Sequence, residues 1–156
     1  MHHHLMRNYI AAILFCVTAA LPVFAQEQDV QFPTASLTIK TQEKNIPLTV
    51  EVATSEAQQE HGLMFRKSLA SDHGMIFDFG ASRHTAFWMK NTLIPLDMVF
   101  IDNGGIITQI VERAEPESTR TIPSEKDVRA VLELAGGTAK LDHIVPGDRV
   151  IYSIFP

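Results

Sequence analysis

The sequence predicts a mainly β fold: a single-domain β-sandwich or barrel-like structure with one short α-helix. Three observations carry this. Short segments alternate apolar and polar residues with a period of two, the spacing of half-buried strands. Turn chemistry separates them at close intervals, and Asp102-Asn103-Gly104-Gly105 is the strongest hairpin signal. Only one segment carries both a helix start and a helix stop. Many short strands with little helix belong to a sandwich or a barrel.

The chain opens on a leader. Residues 1–9 hold one cation, Arg7, and no acid, and residues 10–24 are apolar or small, with Pro22 near their end. Val23-Phe24-Ala25 puts Val at −3 and Ala at −1 of a cut after Ala25, the pattern of a secretory signal peptide over 1–25. The apolar run is short of the roughly twenty residues that span a bilayer, so no stable membrane insertion is expected once the leader is gone. His2, His3 and His4 are read equally well as native or as an appended tag. Residues 26–35 are polar and are expected to form a disordered lead-in to a single β-rich domain over 36–156.

The elements of that domain follow from local pattern. Leu37 and Ile39 alternate with Ser36, Thr38 and Lys40 in a first strand, and Leu48, Val50 and Val52 with Thr49 and Glu51 in a second. Lys44 and Asn45 lie between them, where a turn is expected. Thr54-Ser55 opens the helix: Ser55 with Gln58 makes a capping-box pattern, and Gly62 suits the position that ends it. About two turns are marginal alone, so Leu63, Met64 and Phe65 are expected to pin the helix end to the core. Met75, Phe77 and Phe79 share one face of a third strand. Residues 85–90 are expected to form a fourth, and 96–101 a fifth that returns through the hairpin turn into 106–111. Residues 114–127 read as a long polar loop with Pro116 and Pro123. Strands are expected over 128–134 and 149–154, with a glycine-led turn or short helix at 136–141.

Composition narrows the function. The single cysteine, Cys16, lies in the leader behind Ile13-Leu14-Phe15, which lack the small residues of a lipoprotein cleavage site. The mature chain therefore carries no disulfide, and its stability must come from its core. The formal charge is −5 at pH 7, and losing Arg7 makes it one unit more negative. No basic stripe is present, which argues against nucleic acid and anionic lipid as partners.

The segment FWMKNTLIPLD, residues 87–97, sets Trp88, Met89, Lys90, Asn91 and Asp97 in a stretch otherwise apolar enough for a core. Burying such polar groups costs several kcal/mol unless they find partners. The segment is thus a structural corner or the wall of a binding site. In a simple hairpin through 91–95, Trp88 would oppose Met98 and Lys90 would oppose Leu96. Trp88, Lys90, Met98 and Phe100 would then share one face, and Met89 and Asp97 the other. If the segment crosses between sheets, that pairing fails. In the binding reading Trp88 supplies a stacking face, and Lys90, Asn91 and Asp97 supply directional polar contacts. In the structural reading Trp88 plugs the core, Lys90 lies along it, and Asn91 and Asp97 hold loop backbone. Arg66 and Glu133 complete the candidate ligand-binding set, either as an ion pair or as a guanidinium aimed at an anionic ligand.

A second constellation is soft. Met64, Met75 and Met89 with His61 and His73 are the ligand types that suit Cu(I) in a cysteine-free protein. Their spacings are weak, and methionine is also an ordinary core filler. Catalytic signatures are absent from the sequence: no cysteine nucleophile survives export, and there is no GxSxG, HExxH or phosphate-cradling loop. Asp78, Asp97, Asp102, Glu133 and Asp148 are available for a glycosidase pair, and no spacing brings two of them together. His84 and His143 read as surface residues.

GLMFR at 62–66, HGMIFDF at 73–79, FWMKNTLIPLDMVFID at 87–102, VLELAGG at 131–137 and GD at 147–148 occur in that order. Together they resemble the bacterial and archaeal family called domain of unknown function 192, from Leu37 to the C-terminus, with FWMKNT followed by PLD as the specific part. The resemblance implies a β-rich sandwich or barrel. It supplies no activity and no catalytic residue. The leading expectation is an exported module, periplasmic or secreted, that binds a small polar molecule or an envelope component without catalysis and without a cofactor. The alternatives are a periplasmic Cu(I)-handling protein and an envelope polysaccharide hydrolase. Ligand identity and oligomeric state stay open at this level.

Overall fold

The computed structural model describes residues 30–156. The expected signal peptide at 1–25 and the start of the lead-in lie outside them. The strands are β1 (Thr34–Lys40), β2 (Asn45–Ala53), β3 (His73–Arg83), β4 (Ala86–Phe87), β5 (Leu96–Ile101), β6 (Ile107–Ala114), β7 (Ile122–Pro123), β8 (Val128–Ala135) and β9 (Arg149–Ile151). The helices are α1 (Glu56–His61) and α2 (Thr138–Leu141).

Seven strands make one sheet in the order β6-β5-β8-β3-β2-β1-β9. It curls into a half-barrel, as the mainly β pattern predicts. β2 and β3 run parallel, with α1 in the crossover between them, and the other neighbours are antiparallel. The two edge strands meet at one end through a bridge between Ile106 and Arg149. There Ile107 N–H donates to Asp148 O at 2.9 Å, Gly147 N–H to Ile107 O at 2.8 Å, and Val150 N–H to Gly105 O at 2.7 Å.

Two apolar clusters lie on the two faces of the sheet. The first draws residues from all seven strands, including Leu37, Val50, Ile76, Val99, Ile107, Leu132 and Val150, and fills the concave interior. The second gathers Met75, Phe77, Met98, Phe100 and Val131 with Leu63 and Met89. The central strands β3, β5 and β8 are therefore covered on both sides. This explains why all six residues of β5 are buried, and why its sequence is a near-continuous apolar run rather than an alternation.

The structure corrects three boundaries. The lead-in stops sooner than expected, because Thr34 and Ala35 already pair with Glu51 and Val50 in β1. The glycine-led stretch at 136–141, expected as a turn or short helix, closes as the short helix α2. The fourth strand shrinks to Ala86–Phe87, which pairs with β7 in a separate two-stranded ribbon. The segment thus crosses away from the main sheet, and the hairpin pairing of Trp88 with Met98 does not form: Met98 faces Val111 and Glu133 instead. The last strand ends at Ile151, after which Ile154 and Phe155 fold against the first cluster.

Candidate functional site

A cleft of about 320 Å³ opens beside the second apolar cluster. One wall is α1. Ser55 starts it as anticipated: its hydroxyl accepts from Gln58 N–H at 3.3 Å, while Gln58 Oε1 accepts from Ser55 N–H at 3.0 Å. The helix ends at Gly62, where φ is +49° and a side chain would meet the Phe77 ring at 3.3 Å. Glu56, Gln59, Glu60 and His61 line the cleft from this helix.

The next wall is residues 83–92. Phe65 N–H donates to Asn91 O at 2.8 Å, which joins the chain after α1 to this segment. Met89 N–H donates to Ser118 O at 2.9 Å, and Glu117 N–H to Thr92 O at 3.0 Å, so the long loop fastens it from behind. Met89 is buried in the second cluster. Its neighbours Trp88 and Lys90 then face out to the cleft, where Trp88 stays 48 % exposed. Lys90 Nζ lies 5.3 Å from the centre of the Trp88 ring, and Arg83 Cζ lies 4.6 Å from that of Phe79. Each cation rests on an aromatic face. Neither has a carboxylate partner among the described residues.

The floor is Leu63, Phe77, Thr92 and Glu133, all buried. Glu133 sits in β8 opposite Met75 of β3 and Met98 of β5, an acid flanked by thioethers on the apolar face of the sheet. It is 4 % exposed and has no hydrogen-bond or ion-pair partner among the described residues. Burial alone pushes its carboxyl up to about 8, because the low-polarity surroundings disfavour the ionised form.

The structure thus brings together three of the six sequence-selected residues: Trp88, Lys90 and Glu133. The other three serve elsewhere. Arg66 meets Glu51 rather than Glu133, with Nη2 at 2.7 and 3.0 Å from the two oxygens. Asn91 adopts a left-handed turn conformation, φ +58°, and its amide reaches the Met64 sulfur at 3.8 Å. Asp97 is fully buried, and its carboxylate accepts from Arg113 N–H at 2.7 Å, Gly137 N–H at 2.9 Å and Ala139 N–H at 2.8 Å. It fastens a bulge of β6 to the start of α2.

Of the soft set, His61 and Met64 line the cleft. Met75 and Met89 are core residues, and exposed His73 bonds Asp72 at 2.8 Å. Among the described residues no cluster of three or more His, Cys, Asp or Glu side chains could hold a metal ion. The sequence reading passed over Arg83, Gln59, Glu60 and Thr92. The acids of α1 were legible as neighbours one turn apart on a polar helix. Arg83 carried no local signal, since its place depends on where β3 ends.

The family model for DUF192, described as an uncharacterized ACR, matches residues 37–152. The chain belongs to the DUF192 family. A solved structure from Sinorhizobium meliloti 1021, described as a "putative transcription regulator", is 43 % identical, with a TM-score of 0.79 over 81 % of this chain and 99 % of that one. A protein of unknown function from Novosphingobium aromaticivorans DSM 12444 is 34 % identical, with a TM-score of 0.75 over 86 % of this chain and 94 % of that one. No curated protein matches the chain. This DUF192 chain, acidic and without a basic stripe, gives no support to a nucleic-acid role.

Proposed function

We propose that the cleft binds a small polar molecule and that this DUF192 protein is a non-catalytic binding module of the cell envelope. The observation that supports it most is Glu133, an almost fully buried carboxyl without a partner among the described residues, which lines a concave, aromatic-walled cleft. An unsatisfied buried polar group costs stability. A bound donor would relieve that cost. An apolar wall with a few placed polar groups is the usual make-up of a small-ligand site.

Trp88 is the single tryptophan of the chain, so its fluorescence reports on the cleft alone. Titration with small polar molecules should give a saturable change that Glu133→Gln weakens. A fluorescence signal that no such molecule alters would overturn the reading. Export rests on the leader pattern. Intact mass of the exported species should match a chain beginning at Gln26, and a mature species that keeps residues 1–25 would remove the envelope from the proposal.

A second reading, hydrolysis of an envelope polysaccharide, draws on one further feature. A carboxyl that keeps its proton to about 8 has the property of a general acid. Glycoside cleavage also needs a second carboxylate about 5–9 Å away, and Glu56 and Glu60 line the same cleft. Release of reducing ends from cell-wall polysaccharide, lost in Glu133→Gln, would favour this reading over simple binding.

A further inference from the structure

We infer that the cleft takes an amino-acid-like zwitterion, with its ammonium group on Glu133 and its anionic group on Arg83 and Lys90. This deepens the binding reading above and rests on it. Three features of the cleft lead there. Glu133 is a nine-tenths-buried acid with no partner among the described residues, aimed into the cleft from its floor. Arg83 and Lys90 line the same cleft, exposed, each on an aromatic face and without a carboxylate partner among the described residues. Phe77 lies with Glu133 in the floor, where an aromatic ring accommodates a cation or an apolar body.

A neutral polyol would satisfy Glu133 and leave both cations unused. A simple anion would use the cations and face an acid at the floor. Only a molecule with a donor cation at one end and an anion at the other uses all three groups. Glu56 and Glu60 also line the cleft, but both are exposed, and a hydrated carboxylate has little to gain from an ammonium. Glu133, which water scarcely reaches, has much to gain. The volume of about 320 Å³ is at the small end of ligand pockets, which suits a single amino acid or a terminal residue of a short peptide.

The reading carries a proton signature. Free Glu133 holds its proton up to about pH 8. An ammonium group stabilises the carboxylate, so binding below that pH expels close to one proton. The other charged groups facing the cleft are Glu56, Glu60 and His61 of α1, Arg83 at the end of β3, and Lys90. Of these residue types only histidine titrates between pH 5 and 8, which makes His61→Gln the control.

The experiment is calorimetric titration of the purified protein at pH 6.5 in two buffers of different ionisation enthalpy. The probes are free L- and D-amino acids, their N-acetyl derivatives, their amides, and the neutral sugars glucose and N-acetylglucosamine. Expected are saturable binding of at least one free amino acid and release of about one proton. N-acetylation should weaken binding about ten-fold or more, and amidation about as much, each being the loss of a charged hydrogen bond. Glu133→Gln should abolish the proton release, and His61→Gln should keep it. Binding of the neutral sugars in preference, or amino-acid binding without proton release, overturns the zwitterion and leaves a binding cleft. No saturable heat and no Trp88 response from any probe overturns both. The derivative arms use the unaltered protein, so they decide the matter even where Glu133→Gln folds poorly.

Discussion

Asp97 and Glu133 lie one step apart in register on adjacent strands and turn their carboxyl groups to opposite faces of the sheet. Asp97 is opposite Leu134, and Glu133 is opposite Met98. Both are buried, yet their surroundings differ completely. Asp97 is saturated by backbone N–H groups from Arg113, Gly137 and Ala139. Glu133 faces two methionines and a cleft. One acid ties the fold together, and the other has no hydrogen-bond or ion-pair partner among the described residues.

The first expectation separates the two roles within the segment that the sequence singled out. Asp97→Ala removes the acceptor of three backbone N–H donors, one buried and two half-buried, and should lower stability by about 1–3 kcal/mol. Lys90→Met keeps the apolar stem over Trp88 and should move stability by less than about 0.5 kcal/mol. Urea midpoints of both variants measure this. Equal losses would make Lys90 part of the scaffold and remove it from the cleft's working groups.

Glu133 imposes a pH dependence with a definite sign. Its carboxyl is raised in the folded protein to about 8 from 4.5, the ordinary value of a glutamate. Between those values the folded state holds a proton that the unfolded state has lost. Stability is therefore full below about pH 4.5 as far as this group is concerned, and is lost as pH rises toward 8, by up to about 1.4 kcal/mol per pH unit. Urea unfolding from pH 5 to 8 should show wild type falling relative to Glu133→Gln. Parallel curves would show that Glu133 is ionised or solvated, contrary to its buried place.

Gly62 should tolerate no β-branched residue. Its φ of +49° disfavours one, and the added carbon would stand 3.3 Å from the Phe77 ring. Gly62→Val should cost at least about 1 kcal/mol, and Gly62→Ala less. An unchanged thermal midpoint for Gly62→Val would mean that α1 does not depend on this cap.

Copper capture is expected to be weak. Met75 and Met89 are spent in the core, and only His61 and Met64 of the soft set reach the cleft. An anaerobic titration should leave Cu(I) with a competing chelator. Stoichiometric transfer to the protein, lost in Met64→Leu, would bring the copper reading to the front.

Much of this architecture was legible because it is locally encoded. Alternation found β1, β2 and β3, the Ser55–Gln58 pair found α1, and the Asp102–Gly105 turn found the β5–β6 hairpin, in which Asp102 accepts from Gly104 and Ile106 N–H at 2.8 and 2.9 Å. What failed was long-range. A two-residue strand such as β4 has no pattern of its own, and its pairing with β7 is imposed by packing. Arg66 had several acids to choose from, and only the parallel β2–β3 arrangement puts Glu51 within its reach. Within the site, Trp88, Lys90 and Glu133 stood out as polar or aromatic groups in apolar runs. Arg83 sat in an ordinary polar loop sequence and offered nothing to notice.

The bridge between Ile106 and Arg149 has a consequence beyond holding the curl. An open sheet ends in strands whose unpaired amides and carbonyls invite another chain to add on, the first step toward aggregates. Here the two outermost strands turn part of that surface on each other, through Ile107, Gly147 and Val150. Exposed Arg149 adds a charge at the join, its guanidinium on Gly104 O at 3.0 Å. At that end a stray strand finds no free ladder to continue. Opening this seam, by proline at Val150 for example, would turn a self-contained molecule into one prone to polymerise edge to edge.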